Sequence, residues 1–89
     1  MRTYRQGTNE KRRYQVDFGD RLDSGDPIAS VECTADAGIS TTLSDYDDQY
    51  AYLTVYGGTE GTSYEIQSVA TTSEGRKHER TFIVQVVDR

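Results

Sequence analysis

The chain predicts an all-β fold, an immunoglobulin-like or fibronectin III-like antiparallel β-sandwich of about six to seven strands. Three observations carry this. Apolar and polar residues alternate with a period of two along most of the chain, which places the apolar set on one face of each extended segment. Turn chemistry built on Gly, Asp, Asn and Ser separates those segments at even spacing. No segment keeps the period of an amphipathic helix.

Taken in order, residues 1–11 mix charge with Gln, Gly, Thr and Asn without periodicity. They are expected to form a flexible basic arm that orders only against something else, with 12–89 as a single sandwich domain. A first strand over 12–18 turns Tyr14, Val16 and Phe18 inward and Arg13, Gln15 and Asp17 outward. Residues 19–27 are turn chemistry, with Asp20, Asp23, Ser24, Gly25, Asp26 and Pro27, and Leu22 plugs the space beneath. A second strand over 28–35 points Val31, Cys33 and Ala35 inward, and Asp36-Ala37-Gly38 reverses the chain. Cys33 is expected as a small buried hydrophobe, unreactive for want of a partner base.

The third strand, 39–43, is short and offers Ile39 and Leu43 to the interior. Ser44-Asp45-Tyr46-Asp47-Asp48 reads as an acidic loop whose Asp side chains bond their own backbone. It lacks the Gly and terminal Glu of a twelve-residue calcium loop, so no metal or other cofactor is assigned. The fourth strand, 49–56, separates Ala51, Leu53 and Val55 from Tyr50, Tyr52, Thr54 and Tyr56. With the aliphatic set in the core, the tyrosines form either a contact surface or a set of cross-strand packing pairs, and both readings stay open.

The region 57–87 is the most informative. A Gly-rich connection, Gly57-Gly58-Thr59-Glu60-Gly61-Thr62-Ser63-Tyr64, fits a chain crossing between two sheets, with Gly58 and Gly61 as structural positions. A strand over 63–72 places Tyr64, Ile66, Ser68, Ala70 and Thr72 on one face. Gly75 closes the next hairpin, and a last strand over 79–87 shares Phe82, Val84 and Val86 on one face. A Tyr at the start of the penultimate strand occupies the tyrosine-corner position, so the Tyr64 hydroxyl is expected to bond backbone near Glu60 or Gly61.

Eighty-nine residues form one two-layer core and nothing larger. The net charge of -5 is segregated: residues 22–75 carry Asp and Glu but neither Lys nor Arg, whereas Arg2, Arg5, Lys11, Arg12 and Arg13 crowd the start. An acidic body argues against nucleic-acid binding. The basic residues at the start are candidates for meeting an acidic neighbour. No apolar run spans a bilayer and the start is not a signal peptide, so neither a membrane nor that route of secretion is expected. The only histidine, His78, sits among Lys77, Glu79 and Arg80 in the expected final hairpin, and no nucleophile motif, phosphate loop or metal spacing is present. The chain is therefore expected not to be an enzyme. Beginning at Met1 and ending just past its last strand, it reads as a whole gene product.

The order Leu22, Asp26-Pro27-Ile28-Ala29-Ser30, the Gly57 to Tyr64 connection, Thr71-Thr72-Ser73-Glu74-Gly75-Arg76 and Glu79-Arg80-Thr81-Phe82-Ile83-Val84 resembles the small bacteriophage proteins called fiber-tail adaptors. The similarity covers about 13–88 of the chain. Cys33 stands where such proteins tend to carry Trp, and the 49–56 strand is unusually rich in Tyr. The resemblance implies an immunoglobulin-like virion protein, made in the host cytoplasm and placed in the tail or head-tail region. It also implies partners among tail, connector or fiber proteins, with multiple copies in a symmetric assembly. Candidate contacts are Tyr50, Tyr52, Tyr56, Arg2, Arg5, Lys11, Arg12 and Arg13. Carbohydrate or surface binding through the tyrosine face, in aid of host attachment, is the alternative, because aromatic faces also stack on sugar rings.

Overall fold

The computed structural model describes residues 2–22 and 25–87. It contains β1 (Arg2–Gly7), β2 (Lys11–Asp17), β3 (Ile28–Ala35), β4 (Ile39–Tyr46), β5 (Tyr50–Gly57), β6 (Ser63–Thr72) and β7 (Lys77–Val87), with one 3-10 turn at Gly19–Arg21. Met1 of the expected arm, Asp23 and Ser24 of the expected turn, and Asp88 and Arg89 of the expected domain lie outside the described residues.

The strands form two sheets, ordered β1-β7-β6-β3 and β2-β5-β4. Every neighbouring pair is antiparallel except β1 with β7. The fold is thus an all-β sandwich, and its strand order is consistent with an immunoglobulin arrangement in which the first strand lies beside the last. The body is elongated, 43 × 21 × 18 Å.

Alternation explains the layers. On β5, Ala51, Leu53 and Val55 are fully buried, and on β6 and β7 Tyr64, Ile66, Ser68, Ala70, Phe82, Val84 and Val86 meet them across the interior. Tyr14, Val16 and Phe18 complete this core from β2 and the residue after it. Burying a side chain such as Leu53 or Phe18 contributes roughly 1.5–3 kcal/mol.

Four expectations need correction. Residues 2–7 are not a flexible arm: they form β1, in parallel register with β7 from Arg2↔Phe82 to Gly7↔Val87. The charges of Arg2 and Arg5 hide a period-two pair, Tyr4 and Gln6, which points inward. Tyr4 lies 4.9 Å from the Tyr14 ring and 5.6 Å from that of Phe82, the latter edge-on, so β1 is held by aromatic packing. The acidic loop is also shorter than expected, because β4 runs on to Tyr46 through a register shift between Leu43 and Asp45. Cys33 is half-buried, since β3 is an edge strand and the side chain sits at its lip. Burial pushes its thiol pKa up. The last strand begins at Lys77, two residues earlier than expected, because the turn closes tightly through Thr72 N–H to Arg76 O at 2.8 Å.

Candidate contact surfaces

β5 is the central strand of its sheet, so the residues opposite its core face form a continuous outer surface with β2 and β4. The register sets Lys11 beside Tyr56, Gln15 beside Tyr52 and Asp17 beside Tyr50. Tyr50 and Tyr52 are half-buried and Tyr56 is exposed. The Arg13 guanidinium lies 4.5 Å from the Tyr52 ring centroid and the Lys11 ammonium 5.1 Å from that of Tyr56. Lys11, assigned to the arm, and Arg13, expected to face outward from the first strand, therefore both stand on the tyrosine face, within cation–π range. Beyond them, Ser44 and Thr54 hydroxyls hydrogen-bond across the β4–β5 pair.

The remaining basic candidates are elsewhere. Arg5 is exposed on β1, Arg12 donates to the Arg5 carbonyl at 3.4 Å, and Arg2 stands at the far end of β1. The structure thus divides the five bases between two sheets.

The flank between β1 and β2 is held at one end by a side chain that sequence reasoning missed. Gln6 is fully buried. Its Nε2 donates to Glu10 O at 3.0 Å and to Val55 O at 2.9 Å, and its Oε1 accepts from the Tyr14 hydroxyl at 2.7 Å. Every one of these bonds crosses from β1 to the opposite sheet or its connection, so the amide staples the layers together. The sequence signal was the Tyr4/Gln6 alternation ahead of a Gly-Thr-Asn-Glu turn.

At the other end of the same flank the strands diverge. A groove of about 610 Å³ opens there, lined by Arg2, Tyr4, Val16, Tyr50, Arg80 and Phe82 among others. Arg80 spans it to Asp20, Nη2 to Oδ1 at 2.6 Å.

Two anchors fix the ends of the sandwich. At one end the Thr59 N–H, next to the expected Glu60–Gly61 stretch and five residues upstream, donates to the Tyr64 hydroxyl at 2.8 Å. Gly61 instead donates its own N–H to Val86 O. Bonds from the Thr59 hydroxyl and amide hold the Tyr64 phenol below its ordinary pKa against the opposing effect of burial. Gly58, at φ +92°, is required beneath this ring: a Cβ there would stand 2.7 Å from Val86 Cγ2 and 3.1 Å from Tyr64 Cε2.

At the opposite end, Asp26 is buried and its Oδ1 accepts from Ser73 Oγ at 2.9 Å and Glu74 N–H at 3.0 Å, while Oδ2 pairs with Arg76 Nη1 at 3.1 Å. Burial works against ionisation there, but the bonds from Thr72, Ser73, Glu74 and Arg76 outweigh it and hold the carboxyl below its ordinary range. Nearby, Asp47 accepts from the Gln49 and Tyr50 amides, which lower its pKa and shape the β4–β5 turn.

Among the described residues, nothing in these surfaces assembles a nucleophile with a base. They present ring faces, cations and strand edges, which is the chemistry of protein contact. No helix of the described residues is long and apolar enough to cross a membrane. A comparison with curated proteins found no match. A family model described as podophage GP4 fiber-tail adaptor protein gp77 matches residues 6–85, from the Gln6 staple to near the end of β7, and the chain belongs to this fiber-tail adaptor family.

Proposed function

We propose that this podophage tail protein works as a non-enzymatic rigid spacer. Its outer β2-β5-β4 face docks on one tail or connector protein, and a second surface receives a fiber or a neighbouring copy. The observation that carries the reading is the composite face on which Arg13 covers Tyr52 and Lys11 covers Tyr56. Tyr and Arg are enriched at interfaces, Tyr because it supplies contact area at low entropic cost and Arg because its planar guanidinium stacks and donates several hydrogen bonds. The elongated body suits a spacer, as its 43 Å axis separates the two ends. In this reading the protein is present in several copies in a symmetric tail, without nucleic acid or membrane contact, after synthesis in the host cytoplasm.

Sugar stacking on the tyrosines is less well supported, because Lys11 and Arg13 already lie over ring faces that a sugar would use. The test is substitution of Tyr52 and Tyr56 together by Ser. Incorporation into particles is expected to fall about tenfold, the effect of losing a hot spot of roughly 1.4 kcal/mol, with a melting temperature near that of the parent. Full incorporation of the double variant would remove this face from the docking role.

A further inference from the structure

We propose that the open half of the β1/β2 flank is a docking groove for an extended, carboxylate-bearing segment of a partner tail or fiber protein, which adds as a strand to the free edge of β7. The proposal rests on the adaptor reading above and names the second surface.

The edge comes first. β1 begins opposite Phe82, so residues 77–81 of β7 have no pairing strand on that side among the described residues. Arg76 O and Val86 N–H both bond toward β6 or its approach, and Val87 O bonds toward the β1 side. Alternation then points the N–H and C=O groups of Lys77 and Glu79 at the open side. Residues 77–81 form an edge roughly 17 Å long at 3.4 Å per residue, and strand addition satisfies its outward groups.

The groove beneath supplies the specificity. Its apolar lining is Phe82, Tyr4, Val16 and Tyr50, and its volume of about 610 Å³ accommodates side chains from an added strand. Its polar lining asks for an acceptor. Both acids at the groove already accept from this chain: Asp17 from Gly19 N–H at 2.7 Å and Asp20 from Arg80 Nη2 at 2.6 Å. Arg80 Nε is buried and has no acceptor among the described residues. A buried guanidinium N–H left unbonded is costly, and a carboxylate answers it with a charge-assisted bond. Arg2 lines the same groove and adds a second cation for that carboxylate.

The assay uses particles assembled without the chain and then supplied with purified protein, with bound protein per tail counted by quantitative mass spectrometry. Glu79→Pro removes only the N–H that faces the open side, so it leaves β6 pairing intact, and bound protein is expected to fall at least tenfold. Arg80→Met keeps the stem but removes Nε, with the same expected loss. Asp20→Asn weakens the internal ion pair while keeping Nε, and should stay within about twofold of the parent. A readout independent of folding of the variants is amide exchange on the parent protein: Lys77 and Glu79 should exchange rapidly when free and become protected in particles. If the parent binds but Glu79→Pro and Arg80→Met bind equally well, or the two amides stay unprotected, the groove is not the docking site and the adaptor reading stands. If the parent binds no tail protein, the adaptor reading itself fails. Protection in the free protein would mean that the chain covers its own edge, or that a second copy does if the protection depends on concentration, and either result overturns the partner assignment.

Discussion

The two flanks of the sandwich are closed by different means. On the β3/β4 flank the strands are consecutive, joined by the Asp36–Gly38 turn, and stay together along their length. Tyr46 reaches across from β4 to donate to Ala29 O on β3 at 2.7 Å, and the partly buried Cys33 and Leu43 pack against the core between them. On the β1/β2 flank a short turn at 8–10 and the Gln6 staple close one end, and the other end opens into the groove beside the free part of β7. A fold that needed only stability would close both. The open end exposes backbone groups and holds a cation donor without an acceptor among the described residues, features that aggregate or bind, and an adaptor is a molecule for which binding is the use.

The largest test of this contrast is its common core. Leu53 is fully buried beneath both flanks, so Leu53→Ala is expected to cost about 2–5 kcal/mol in chemical denaturation. If the cost were small, the interior would be loose and the comparison of flanks would lose its reference.

Next comes the acidic anchor, which faces neither flank. Asp26 has a folded-state pKa below its ordinary 3.8. The stability it contributes is therefore present above about pH 4 and is lost as the pH falls through the folded-state value. Asp26→Asn should lower the melting temperature at pH 7 and flatten its fall as the pH drops below about 4. A variant that keeps the parent's acid slope would assign that slope to other carboxylates.

The stapled end is sharper. Gln6→Ala removes the bonds to Tyr14 OH, Val55 O and Glu10 O, at a cost of about 1–3 kcal/mol. Amide exchange should speed up along β1 far more than along β3. Equal acceleration on both would mean that the flanks are not independent. For the corner, Tyr64→Phe removes the acceptor for Thr59 N–H and is expected to lower the melting temperature by about 4–8 °C, the shift that roughly 1 kcal/mol produces in a domain this size. The smallest effect belongs to the closed flank: the Tyr46 bond to Ala29 is exposed, so Tyr46→Phe should change stability by about 0.5 kcal/mol or less.

Much of this architecture was legible in the residues. The alternation of Ala51, Leu53 and Val55 against the tyrosines requires only that the smaller aliphatic set be buried, and both the Tyr64 position and the Gly57 to Ser63 connection follow from turn chemistry. What escaped was long-range. β1 looked disordered because four of residues 2–7 are polar or charged and only Tyr4 packs as a hydrophobe, while Gln6 becomes an interior residue solely through partners at Glu10, Tyr14 and Val55. Asp26 read as a turn residue because its donors lie 46 to 50 positions away. Deleting residues 2–10 would remove β1 and uncover Tyr14 and Phe82, so loss of assembly after such a deletion would not isolate the role of the basic charges. The groove was invisible for the same reason, since it is a place where a strand stops.

A reconstruction of the tail at side-chain resolution tests the central claim most directly. The predicted result is a strand of another tail or fiber protein paired with residues 77–81 of β7, with a carboxylate at Arg80 Nε and the Tyr52 and Tyr56 face against a different neighbour. A tail in which this chain is present, with that edge and the groove open to solvent, would contradict it.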